Sequence, residues 1–154
     1  MVEDMKVEYL YDYDSLFKTL LLQYKECYDE ALKGVFLYKI DVFLRLKYLG
    51  YRIIYVPSTK DKADKRGFDH LREVFSPLGF KEIEGLRMKE ELIQEGKDYK
   101  EREKMIGNYI YDGPYIDKVL IVDDVCTSGS SLKAVKRALY GHYGKIRALV
   151  LAKT

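Results

Sequence analysis

One stretch near the C-terminus constrains the fold more than any other. Residues 118–122 (KVLIV) form an apolar run bounded by turn signals, as a buried parallel strand does. Residues 123–131 (DDVCTSGSS) are small and polar, the composition of a turn. Leu132, Val135, Ala138 and Leu139 then recur at helical spacing, and Gly141 and Gly144 end that helix. Residues 146–152 (IRALVLA) read as one more apolar strand. A strand, a helix and a strand with apolar strands predict a parallel α/β sheet.

The turn inside this unit has a definite chemistry. The strand delivers Asp123 and Asp124 to its C-terminal edge, where open parallel sheets bind ligands. Thr127, Ser128, Gly129, Ser130 and Ser131 follow and lead straight into the helix. Successive backbone N–H groups there can cradle an anion, and the helix N-terminus adds its positive dipole end. Gly129 lacks a Cβ, so an anion can approach the backbone closely. A phosphate cradle is thus joined to carboxylates suited to sugar hydroxyls, or to a magnesium ion through water. The same residues also fit a plain turn cap and helix cap. No GxxxxGK[ST] and no GxGxxG is present, so neither a Walker loop nor a dinucleotide site is indicated.

Composition excludes several classes. At 154 residues and 47% apolar content, the chain has enough material for one domain with a real core. Lys and Arg number 27 against 25 Asp and Glu, so the net charge of +2 does not suggest a generic polyanion binder. The 2 cysteines, Cys27 and Cys126, argue against a disulfide scaffold and against a cysteine-rich zinc site. Glu3, Asp4, Glu8 and Asp12 leave the N-terminus without the basic region of a leader peptide. The uncharged run at 19–24 is far short of the roughly 20 residues of a membrane span. A soluble cytoplasmic protein is expected.

The first third reads as helical. Asp14 or Ser15 can cap a helix whose apolar positions are Leu16, Leu20 and Tyr24, with Phe17 and Leu21 beside them. After Gly34, residues 35–48 predict a second, buried helix ending near Gly50. Residues 51–56 (YRIIYV) read as a strand stopped by Pro57, residues 58–67 as a charged loop, and residues 68–78 as a helix with Leu71, Val74 and Phe75 on one side. Segments 80–88 and 108–111 read as short strands. Between them, residues 89–104 are charged at 11 of 16 positions and predict an exposed, mobile segment. His70 and His142 lack partners at ligand spacing and read as surface or packing residues. Cys126 reads as a filler without an activated thiolate.

The stretch VLIVDDVCTSGSSL resembles the motif that binds 5-phosphoribosyl 1-pyrophosphate (PRPP) in type I phosphoribosyltransferases. Pro57 after a strand, then Lys65-Arg66-Gly67-Phe68-Asp69-His70, resembles a segment of the ComF/GntX-type, competence-associated subfamily. Arg87, Gln94 and Arg102 resemble that subfamily's flexible loop, and residues 22–26 (LQYKE) its first-helix region. The departures are specific. No CxxC occurs, so the subfamily's N-terminal zinc ribbon is absent and no zinc is expected. Asp69 and His70 replace the usual Asn and Gln, and Met105 stands about where Asn is expected. Thr127 stands where purine enzymes carry an aspartate, which argues against hypoxanthine–guanine salvage.

The resemblance implies an α/β, type I phosphoribosyltransferase-like fold. It has a mainly parallel sheet flanked by helices, in a single domain over 1–154 with a small N-terminal helical hood (1–50) and a core (51–154). It implies a transferase that joins PRPP to a small nitrogenous acceptor and releases pyrophosphate. In that scheme Asp123 and Asp124 bind the ribose hydroxyls and Mg²⁺, the latter through water. Val125, Cys126, Thr127, Ser128, Gly129, Ser130 and Ser131 hold the PRPP phosphate. Pro57, Ser58, Thr59, Lys60, Lys65 and Arg66 form the pyrophosphate loop, and residues 89–104 close as a lid carrying the catalytic Arg102. Alternatives are a non-catalytic ComF-like accessory of DNA uptake or metabolism, or a PRPP-sensing regulator. Nucleic acid is a disfavoured partner and a membrane is not expected. A homodimer is compatible, since type I relatives often pair.

Overall fold

The computed structural model describes residues 4–26, 30–57, 69–88 and 109–154. The apolar run is the middle of a long strand, β5 (Ile116–Cys126), in which Val119, Leu120, Ile121 and Val122 are wholly buried. Burial on both faces requires a cover on each side, and the neighbouring elements provide it. β5 lies between β2 (Arg52–Tyr55) and β6 (Tyr143–Lys153), and β1 (Lys6–Asp12) flanks β6 on the outside. All three pairings are parallel, so the four-stranded sheet has the order β1-β6-β5-β2. The expected parallel α/β sheet flanked by helices is present.

Alternate residues send their side chains to opposite faces. On one face Leu120, Val122, Leu149 and Leu151 pack under α1 (Ser15–Glu26), α2 (Asp41–Lys47) and α3 (His70–Phe75). On the other, Val119, Ile121, Ala148 and Val150 pack under α4 (Ser130–Ala138) and a two-stranded antiparallel ribbon, β3 (Leu86–Met88) with β4 (Tyr109–Tyr111). Leu132, Val135 and Leu139 of the α4 region are buried, as the spacing predicts. Leu71, Val74 and Phe75 of α3 are buried too, and Gly79 ends that unit with φ 70°.

Three expectations are corrected. The first third is not helical throughout, because residues 6–12 are the edge strand β1, paired with β6 from Lys6–Arg147 to Asp12–Lys153. In α1 the buried stripe is Phe17, Leu21 and Tyr24, one position along from Leu16 and Leu20, and Leu16 is exposed. The cause is aromatic packing: Phe17 stacks on Tyr11 at 5.4 Å and meets Phe36 edge-on at 5.8 Å. Asp14 caps α1, accepting from the Phe17 N–H at 2.7 Å. The buried helix expected over 35–48 is a turn followed by the short α2, of which Leu44 is buried while Val42, Phe43 and Leu46 face outward. With this helix on the outer layer, only the inward stripe can reach the sheet.

Candidate functional site

Asp123 and Asp124 are not in a turn, because β5 runs on to Cys126 beside β6. β2 stops earlier: its last partner is Tyr55–Val122, with one further bond from Val56 N–H to the Val122 carbonyl. Past that point no described residue pairs with that flank of β5, which leaves a notch at the C-terminal edge among the described residues. The two carboxylates stand at the notch, one on each face.

Asp124 points toward α1 and α3. Its Oδ2 accepts from the Lys25 ammonium and from His70 Nε2 at 2.8 Å. Its Oδ1 accepts from the Val125 N–H at 2.6 Å. A carboxylate only accepts, so His70 carries its proton on Nε2. Both partners are held firmly. Lys25 is in the last turn of α1, and its neighbour Tyr24, fully buried, donates its hydroxyl to the His70 carbonyl at 3.0 Å. His70 opens α3, where Asp69 caps the helix by accepting from the Arg72 N–H. Burial pushes the Asp124 carboxyl up, but the His70 hydrogen bond and the Lys25 charge outweigh it and hold the group well below the usual carboxylate range.

Asp123 points the other way, toward the ribbon and α4. Burial, and then the charge of Asp124, push its carboxyl up to about 7 against the weaker pull of the Asp124 N–H and Lys25. Tyr109 shares this side. Its phenol reaches the Pro57 carbonyl at 3.5 Å and hydrogen-bonds Ser131, and burial and then Asp123 raise its pKa. Tyr109 therefore joins the residue after β2 to the start of α4, within electrostatic reach of Asp123.

The loop after β5 leads into α4 through Gly129, at φ 71°. That left-handed turn is cheap for glycine alone. Gly129 itself supplies no side-chain cap, so apart from the Ser130 N–H, which Ser128 takes, the first-turn N–H groups of α4 are offered to whatever lies above the loop. Thr127, Ser128 and Ser130 are exposed, and the Ser128 hydroxyl bridges Ser130 Oγ at 3.1 Å and the Ser130 N–H at 3.3 Å. Cys126 is buried, 3.8 Å from the Tyr9 hydroxyl, consistent with a packing role. Val125 packs partly into the core.

The structure thus places Asp123, Asp124, Val125, Cys126, Thr127, Ser128, Gly129, Ser130 and Ser131 at one sheet edge, with Pro57 beside them. Ser58, Thr59, Lys60, Lys65 and Arg66 lie outside the described residues, as do Cys27, Gln94, Arg102 and Met105. Arg87 is a half-buried residue of β3 paired with Asp112. The sequence also misdirects on His70, which is neither surface nor simple packing. Lys25 is not singled out for the site at all. Its only signal is its place in the LQYKE segment, 99 positions from Asp124.

A magnesium ion, implied by the resemblance, has few protein ligands to use. Among the described residues no group of three His, Cys, Asp or Glu side chains could hold a metal. Asp124 is largely taken by its own donors, so Asp123 is the carboxylate left for an ion held through water. Such a sparse set fits Mg²⁺, which keeps waters and leans on substrate phosphates.

No protein-family profile matches the chain. The chain is similar to the competence protein ComFC of Streptococcus pneumoniae (strain ATCC BAA-255 / R6), with 28% identity over 135 residues. The match covers 84% of this chain and 60% of that protein, so the chain spans about three fifths of its relative's length. No helix among the described residues is long and apolar enough to cross a membrane.

Proposed function

We propose that this chain is a ComF-type protein that binds PRPP at the C-terminal edge of β5 and transfers its phosphoribosyl group to a nitrogenous acceptor. The observation that carries this reading is the hydroxyl-lined start of α4 behind the left-handed Gly129, set beside Asp123 and Asp124. The backbone amides and hydroxyls of 127–131 hold the terminal phosphate. The carboxylates face the sugar, and their negative charge stabilises the cationic, oxocarbenium-like carbon that forms at C1. The C1–oxygen bond to pyrophosphate breaks as the bond to the acceptor nitrogen forms, and the acceptor's proton leaves to solvent. Mg²⁺, when bound with substrate, neutralises pyrophosphate charge, and Asp123 would hold it through water. Residues 57–66 and 89–104 complete the scheme as pyrophosphate loop and lid.

Titration calorimetry with PRPP and Mg²⁺ tests binding, and pyrophosphate release across purines, pyrimidines and amines tests transfer. Asp123→Asn and Asp124→Asn are each expected to weaken PRPP at least tenfold, about 1.4 kcal/mol. No binding by the wild type would overturn the reading. The name of the relative favours a second one, a competence accessory that keeps the PRPP site without turnover. It predicts PRPP binding, no pyrophosphate release with any acceptor, and a mobility shift of single-stranded DNA at 50 mM salt that weakens as salt is raised.

A further inference from the structure

Asp124 has room for about four hydrogen bonds, and Lys25, His70 and Val125 supply three. One acceptor position remains. Lys25 has three N–H bonds, of which Asp124 takes one, and no other partner for it is seen among the described residues. Among the described residues, an open acceptor and open donors therefore stand in direct contact at the notch. The side chains are mostly shielded, at 15% exposed for Lys25 and 16% for Asp124, so hydrogen bonds made there meet little competition from water. Neither group can drift, because Tyr24 pins α1 to the His70 backbone and His70 pins the carboxylate.

We propose that Lys25 and Asp124 act together as a reader of a vicinal diol, with Lys25 setting specificity and His70 acting as a positioning residue. One hydroxyl donates to Asp124, and its neighbour accepts from the Lys25 ammonium. Because the Lys25 ammonium and the Asp124 carboxylate touch, two hydroxyls on adjacent carbons can reach both at once. A single carboxylate would accept from any hydroxyl. The donor–acceptor pair favours a sugar with both hydroxyls in place, and a site built to hydrogen-bond a hydroxyl rejects the analogue lacking it. This inference rests on the proposed sugar site and assigns its specificity to a side chain from the N-terminal helix.

The test uses ribose 5-phosphate and its 2-deoxy and 3-deoxy analogues, titrated into the full chain and into Lys25→Met. The wild type is expected to bind each deoxy analogue at least tenfold more weakly than ribose 5-phosphate. Lys25→Met should lose the penalty for one analogue, to below threefold, and keep it for the other. Lys25→Arg, which retains a donor beside Asp124, should restore most of the lost discrimination. His70→Gln, which keeps an N–H donor to Asp124, should preserve the pattern, and His70→Leu should weaken it for both analogues. A merely structural role for Lys25 lowers affinity for all three ligands by one factor and leaves the ratios unchanged; that result overturns the proposal. If Lys25→Met does not fold, Lys25→Gln serves in its place. A wild type that binds ribose 5-phosphate without discriminating also overturns it, while a wild type that binds neither this ligand nor PRPP overturns the sugar site itself.

Discussion

The two faces of the sheet treat the C-terminal end of β5 in opposite ways. Toward α1 and α3, Asp124 meets a cation and a histidine N–H and stays ionised. Toward the ribbon and α4, Asp123 meets apolar walls, a tyrosine and its neighbour's charge, and its proton is held up to about pH 7. One peptide bond separates two carboxylates whose surroundings push their proton affinities apart. In enzymes such a divergence lets two chemically identical groups do different work. Here one group is a fixed anion and the other is free to take a proton or give it up.

Breaking the ionised side should have the largest effect. Asp124→Asn leaves Lys25 mostly shielded beside a neutral amide and removes an acceptor from His70. Loss of one partner from a shielded pair costs about 2–3 kcal/mol, below the fully buried figure because some solvent reaches it. For a chain of this size that lowers Tm by roughly 5–10 °C, readable in a calorimetric melt. The same substitution at Asp123 should not destabilise near neutral pH, since it removes a charge that burial disfavours. Equal losses at both positions would erase the contrast.

A step down in size lies at the loop. Gly129→Ala forces a left-handed backbone on a residue with a Cβ and costs about 1–2 kcal/mol. Gly79→Ala, at φ 70° in open space, should cost a similar amount but leave PRPP affinity unchanged, whereas Gly129→Ala should also weaken it. Loss of affinity in both would mean that the loop matters only through stability.

The pH dependence separates the carboxylates more gently. The folded pKa of Asp123 lies above its ordinary 3.8, so between about 4 and 7 the folded chain keeps a proton that the unfolded chain has released. The Asp123 contribution is therefore full at acid pH and lost as pH rises through about 7. Asp124 behaves in reverse, and its contribution is lost only as pH falls below the usual carboxylate range. In urea melts from pH 4 to 8, Asp123→Asn should flatten the decline that the wild type shows. An unchanged slope would remove Asp123 as its source. The smallest effect belongs to Arg87→Ala. It breaks an exposed pair with Asp112, costs under about 1 kcal/mol, and should not touch ligand binding.

What the sequence shows of this site follows the range of the interactions. The unit from β5 to β6 is legible because its strands are apolar enough to be read without neighbours. The facing of the two aspartates is legible only if they are assigned to the strand, since the alternation of a strand then sends them apart. Reading them as a turn hides this. β1 is harder: KVEYLYD mixes charges with aromatics, and it is a strand because β6 offers an edge to pair with. Lys25 and His70 lie 99 and 54 positions from Asp124, so no local pattern joins them to it. The apolar spacing of α1 predicts a buried stripe one residue off, because the contacts of Phe17 with Tyr11 and Phe36 decide the rotation of the helix.

The order β1-β6-β5-β2 also bears on how the chain reaches this state. Among the described residues β6, far from β1 in the sequence, is the only neighbour β1 has, and it is flanked by β5 on its other side. β1 therefore waits, with its apolar side chains unprotected, until residues 143–153 have been made. Assembly of this sheet depends on contacts between distant ends, which slows folding. A chain shortened before β6 would lose the β1 pairing and uncover one side of β5, so early termination should yield an aggregating product rather than a smaller working one.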